Sequence, residues 1–118
     1  MDHNAEVLQL VSGLEGYADD SASDFRAFCA SAPALRMPRM DVDWEGRVRL
    51  TWGLGSPPGC CQYAFCGSGH VYFRFTRRRR QDGEMFWVDG FAPLGQARNI
   101  LRLMGLRQLI YATAFGGG

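Results

Sequence analysis

Hydrophobic positions change period partway along the chain. Val7, Leu8, Val11 and Leu14 recur at steps of three and four, the spacing of one helical face, and predict a helix over residues 5–14. Phe25, Phe28 and Cys29 share a face of a second short helix. Ser21 with Asp24 three residues later has the form of an N-terminal capping pair, with Asp standing where Glu is usual. Pro33 stops this helix, and residues 32–40, containing Pro33 and Pro38, read as an extended connector.

From residue 47 the period falls to two. Val48, Leu50 and Trp52 alternate with Arg47, Arg49 and Thr51, which predicts a strand with one buried face. Residues 53–59, with Pro57 and Pro58, form a loop. Residues 60–66 make a second strand, with Tyr63 and Phe65 inward. After a tight turn at Gly67-Ser68-Gly69, a third strand over residues 70–77 turns Val71, Phe73 and Phe75 inward and Tyr72, Arg74 and Thr76 outward. Asp82-Gly83 is a strong hairpin signal, and residues 84–90 follow as a fourth strand. Pro93 suits the first turn of a C-terminal helix whose apolar stripe is Leu94, Ala97, Leu101 and Met104, with Gly105 at its end. Residues 108–115 then read as a last strand or an extended arm. The predicted fold is α+β: one domain over residues 1–115, a four- to five-stranded antiparallel meander with N-terminal helices and one C-terminal helix. Residues 116–118 form a flexible glycine tail.

Composition agrees with one globular domain of 118 residues, 47% of them hydrophobic. No apolar run reaches the roughly 20 residues that a membrane-spanning helix needs, and the first residues lack the pattern of an export signal. The expected location is a cytoplasm, with Cys29, Cys60, Cys61 and Cys66 as reduced thiols. The net charge of +1 hides an asymmetry. Residues 1–40 hold six acids against three arginines, and residues 74–118 hold eight arginines against three acids. All thirteen basic residues are Arg, so the chain has no lysine for Schiff-base chemistry or a phosphate-binding loop.

Leu14-Glu15-Gly16-Tyr17-Ala18, then Pro38, then Val42-Asp43-Trp44-Glu45-Gly46-Arg47-Val48-Arg49-Leu50-Thr51-Trp52 form a loose pattern. It resembles small orphan proteins of bacteria and mobile elements, in which a helical "GY-A" segment precedes a proline-rich link and a "G-x-V-x-L-x-W" strand. The likeness covers residues 8–75. Leu14 stands where a Trp is expected and Thr51 where Glu is frequent. The resemblance implies a phage or mobile-element setting and transfers no residue role. By analogy, many small proteins of that setting block a larger host machine, as anti-CRISPR proteins do.

The candidate binding residues are Arg77, Arg78, Arg79 and Arg80 beside the Asp82-Gly83 turn, with Tyr72, Arg74 and Trp87 on one strand face. Such a cluster suits a phosphate backbone, an acidic protein surface, or simply a solvated hairpin tip. Aromatics beside Arg suit stacked bases or a protein hot spot, unless a helix covers the face. Cys61, Cys66 and His70 have a zinc-like spacing, but strand alternation scatters the thiols. Asp41, Asp43 and Glu45 begin like a calcium loop, yet Trp52 occupies the position that needs a carboxylate, so they are read as flanking a turn. A thiol nucleophile at Cys60 or Cys61 with His70 is a third functional reading. The sequence otherwise assigns no catalytic residue, metal or cofactor. The leading expectation is a non-enzymatic, protein-binding inhibitor of a host defence machine. A nucleic-acid-binding regulator using the same arginines is the alternative. Monomer and homodimer both stay open, since an exposed last strand can pair with its copy.

Overall fold

The computed structural model describes residues 4–53, 59–78, 81–97 and 99–100. The helical pattern at the start becomes a short α1, Ala5–Gln9, that tightens into a 3-10 turn at Leu10–Gly13. Val7 and Val11 are buried, and Leu8 and Leu14 pack against them. Leu14 is already extended, so the helix is shorter than its apolar stripe. Just before α1 lies the buried Asn4. Its Nδ2 donates to Cys29 O at 3.0 Å and its Oδ1 accepts from Leu35 N at 2.9 Å. This amide ties the chain start to the segment that follows the second helix.

That second helix, α2, spans Asp19–Ser31 and buries Ala22, Phe25, Phe28 and Cys29. It starts two residues before Ser21, and no side chain caps it. Asp19 and Asp20 complement the positive end of its dipole instead. The expected capping pair does different work. Ser21 Oγ accepts from Val48 N at 2.8 Å and donates to Phe65 O at 2.6 Å. Asp24 Oδ2 accepts from Gly67 N and Gly69 N, both at 2.9 Å. Both side chains therefore bind the helix to the sheet. Gly67 has φ of 91°, a backbone conformation that favours glycine, and a Cβ there would also push aside the Asp20 carboxylate, 2.6 Å away.

Five antiparallel strands follow, each beside the next in the chain: β1 Arg39–Val42, β2 Val48–Gly53, β3 Gly59–Phe65, β4 His70–Arg78 and β5 Met85–Pro93. The meander matches expectation, but one strand comes from an unexpected place. β1 lies in the segment read as connector and acidic turn. It has only four residues, too few for alternation to stand out, and is recruited by pairing, with Asp41 opposite Arg49. The expected strand over residues 108–115, most of the C-terminal helix and the glycine tail lie outside the described residues. Pro93 ends β5 in extended conformation instead of opening a helix, and a 3-10 turn, Leu94–Gln96, comes next. Ala97 beyond it is buried, and its carbonyl accepts from Tyr63 Oη at 3.2 Å.

The sheet turns one face to the helices. Leu50, Tyr63 and Phe73 form a cross-strand row on that face, flanked by Val48, Phe65, Val71, Trp52, Cys61 and Phe75. Phe28 meets Tyr63 edge-on at 5.5 Å, and Phe25 meets Phe65 at 5.8 Å, geometries that suit the aromatic quadrupole. The Trp52 indole N–H reaches Arg36 O at 2.7 Å. The two segments of the "GY-A" and "G-x-V-x-L-x-W" pattern meet in space: Ala18 N donates to Gly46 O at 2.8 Å, and Gly46 sits at φ 81°. Among the described residues no helix is long and apolar enough to cross a membrane.

The β2–β3 ladder begins at Arg49 opposite Ala64, and one step earlier the Ser21 hydroxyl stands between Val48 N and Phe65 O. Ser21→Ala is expected to leave two buried backbone groups without this partner and to cost about 2–3 kcal/mol in equilibrium urea unfolding. Ser12→Ala, which removes only an exposed bond to Gln9 O, should change stability by less than about 0.5 kcal/mol.

Candidate partner-binding face

The second face of the sheet carries the polar members of the alternation. Register sets Tyr72 opposite Phe91, Arg74 opposite Asp89, Thr76 opposite Trp87 and Arg78 opposite Met85. The helices pack on the other side, so no helix among the described residues covers this face. The sequence leaves that point open, and the structure decides it. Trp87 is 60% exposed and Phe91 67%, with Met85 beside them on the same strand. This is a row of large apolar side chains presented to solvent.

Polar contacts hold the row in place. The Arg74 guanidinium lies 5.9 Å from the centre of the Trp87 ring. Tyr72 Oη donates to Asp89 Oδ2 at 2.7 Å, and its ring packs against Phe91 at 5.2 Å. The hydrogen bond to Asp89, then burial, pushes the Tyr72 phenol above its ordinary pKa. The Arg47 guanidinium also lies over the Tyr72 ring, 5.7 Å from its centre.

Two arginines of this face, Arg47 and Arg49, are already matched by carboxylates. Arg49 makes a two-pronged contact with Asp41, Nε to Oδ1 at 2.8 Å and Nη2 to Oδ2 at 2.7 Å. That bond holds the Asp41 carboxyl below its usual range. Arg47 binds Asp43 Oδ2 through Nε at 2.7 Å and lies 3.3 Å from Glu45. The Asp43 side chain is only 5% exposed, and its Oδ1 accepts from Glu45 N and Arg47 N, both at 2.9 Å. Burial raises its pKa, but these N–H donors and the Arg47 guanidinium together outweigh burial and lower it. The three acids thus flank a turn, as their spacing implies. Arg47, Arg49, Arg74, Gln62 and Tyr72 with Asp43 line a shallow depression of about 110 Å³.

Asp43 carries a pH dependence whose sign is fixed. Its pKa is lower folded than unfolded, so its stabilisation is complete above the unfolded carboxylate pKa of about 3.9. It is lost as pH falls through the lower folded value. Asp43→Ala should cost about 2–3 kcal/mol at neutral pH. It should also flatten the fall in stability below about pH 4, as read by urea midpoints across an acid series.

Of the residues singled out in the sequence, Tyr72, Arg74, Arg78 and Trp87 come together on this face. Arg77 does not: strand alternation turns it to the opposite side, where it faces Phe86. Arg79 and Arg80 lie outside the described residues. The hairpin turn forms at Asp82-Gly83, with Gly83 at φ 72° and Asp82 Oδ1 accepting from Glu84 N. Sequence reasoning misses Phe91, Asp89 and Arg47. Ending the fourth strand at Gly90 hides Phe91, although alternation from Met85 through Trp87 and Asp89 leads to it.

The thiol candidates separate. Cys61 is fully buried on the core face, and burial, then the neighbouring Cys60, pushes its thiol well up, away from the reactive thiolate. Cys60 is opposite Thr76, six positions along β4 from His70, which is about 20 Å at strand rise. That distance rules out a Cys60–His70 dyad. The four cysteines are free thiols. Among the described residues no group of three or more His, Cys, Asp or Glu is placed to hold a metal ion.

A scan against protein-family models finds no match, and searches of curated proteins and of solved structures find none either. The fold and the face together define an α+β protein with helices on one side of an antiparallel meander and an aromatic, arginine-bearing surface on the other.

Proposed function

We propose that this protein is a non-enzymatic binding protein that docks on a protein partner through the outer face of β4 and β5. The observation that carries this reading is the exposed row of Trp87, Phe91 and Met85 with Arg74 set against Trp87. Trp, Tyr and Arg dominate the energetics of protein interfaces: the aromatics bury large, stiff surface with few rotors, and Arg brings a planar fork that stacks and forms paired hydrogen bonds. Charge favours protein over nucleic acid. Arg47 and Arg49 are engaged by Asp43 and Asp41, and Asp89 lies within the aromatic row. A phosphate backbone meets carboxylates unfavourably, whereas a mixed protein surface accommodates both signs.

Together with the resemblance to mobile-element orphan proteins, this face supports an inhibitor acting in a host cytoplasm, where it blocks a defence machine as anti-CRISPR proteins do. Arg78, opposite Met85, extends the contact along the same face. The second reading, a nucleic-acid-binding regulator, rests on the same Arg74–Trp87 pair, which is also a base-stacking platform.

The test is capture on the tagged protein from nuclease-treated host lysate, alongside the Trp87→Ala and Arg74→Glu variants. A stoichiometric protein retained by the wild type and lost by both variants supports the inhibitor. Nucleic acid retained without protein, with affinity falling steeply with salt, replaces that reading with the regulator.

A further inference from the structure

β5 is an edge strand with no strand on its outer side among the described residues. The two edges of the sheet differ sharply. β1 is four residues long and carries Arg39 and Asp41, features that blunt an edge. β5 is nine residues long and exposes apolar side chains on both faces: Met85, Trp87 and Phe91 outward, Phe86 and Val88 on the helix side. Solvation explains neither the length nor the two-sided apolar character.

The direction of its backbone groups follows from the register. In an antiparallel pair, residues that exchange both backbone bonds alternate with residues that exchange none. The bonds from Leu94 N to Gly69 O and from Cys66 N to His70 O set the phase. Counting on from them, Phe86, Val88, Gly90 and Ala92 turn their N–H and C=O toward β4. Met85, Trp87, Asp89 and Phe91 turn theirs to the free edge.

We infer that β5 pairs with β5 of a second copy of this chain, antiparallel about a two-fold axis through Val88, so that two sheets become one. This register sets Met85 opposite Phe91 of the copy and Trp87 opposite Asp89, and it uses every outward N–H and C=O from Met85 to Phe91. Phe86 of each copy then stands opposite Gly90 of the other, on the face where Phe73 of the same chain already packs beside that glycine. Neighbouring registers are poorer. An axis at Asp89 opposes two carboxylates and sets Met85 against Pro93, which has no N–H. An axis at Trp87 sends Phe91 to the turn at Gly83 and leaves it without a strand partner. A self-complementary strand of this kind is the isologous contact of a two-fold dimer.

Sedimentation equilibrium of the full chain tests the inference with two charge variants. Val88 faces its own copy at the axis, and its side chain lies on the side away from Trp87. The wild type should sediment at twice the 13.2 kDa of one chain. Val88→Glu and Val88→Lys should each sediment at the mass of one chain, because like charges then oppose each other at the axis. An equimolar mixture of the two should return to the dimer mass, which a misfolded variant cannot do. A wild-type monomer overturns the inference and assigns the edge to residues beyond 100 or to another protein's strand. Dimers in both single variants overturn it as well, as does a mixture that stays monomeric. Monomeric Val88→Glu that still captures the protein partner separates this dimer from the proposed docking face.

Discussion

Tyr63→Ala should be the most damaging single substitution in the sheet, costing about 4 kcal/mol of stability, out of the roughly 5–15 kcal/mol typical of a whole domain. Tyr63 is fully buried in the central strand, β3. Phe28 and Trp52 meet its ring edge-on at 5.5 and 6.0 Å, and Phe75 lies at 6.1 Å. Removing the ring opens a cavity that helix and sheet cannot both close, since Ser21 and Asp24 pin α2 to the strands. Tyr63→Phe keeps the ring and removes the hydroxyl that donates to Ala97 O, so it should cost about 1 kcal/mol. Urea unfolding of the two variants separates packing from the polar tie. Equal losses in both would place the main contribution in the hydroxyl and overturn the packing argument.

Trp87→Ala should weaken partner binding by about 2–4 kcal/mol, roughly 30- to 1000-fold, while stability falls by no more than about 1 kcal/mol, the worth of its exposed contact with Arg74. The two effects part because Trp87 is 60% exposed in the free protein, and its binding contacts are those of the proposed docking face. Arg74→Ala should couple to it. The guanidinium over the indole contributes about 0.5–1 kcal/mol while exposed and about 2 kcal/mol once water is excluded. A double-mutant cycle by titration calorimetry against the captured partner reads that coupling directly. Additive losses would mean that the two side chains act as separate contacts. An unchanged affinity in Trp87→Ala would remove this face as the docking site.

Strict alternation makes most of the sheet legible. Period two alone assigns Val48-Leu50-Trp52 and Val71-Phe73-Phe75 to the core, and all six are buried. Burial on one face forces that pattern over a run of five or more residues. β1 escapes because four residues offer too short a sample, and its place depends on Arg49 across the ladder. Ser21 and Asp24 show a different limit. Their spacing matches a local capping rule, yet their oxygens find stronger partners 27 to 45 residues away. Asn4 is similar, since nothing local marks a buried amide that reaches Leu35.

The candidate site is half legible for the same reason. Periodicity places Tyr72, Arg74 and Trp87 on one face. The arginine run stands out by charge alone, but strand geometry sends Arg77 and Arg78 to opposite sides. Periodicity within a segment is a local property, carried by covalent geometry and by the need to bury apolar side chains. It therefore determined the two helix faces, four of the five strands and the hairpin turns. Which face the helices cover, which carboxylate neutralises which arginine and which strand edges stand unpaired among the described residues depend on groups brought together from distant parts of the chain. Only tertiary packing decided those, because hydrogen bonds and ion pairs fall off over a few ångströms and leave no period in the sequence.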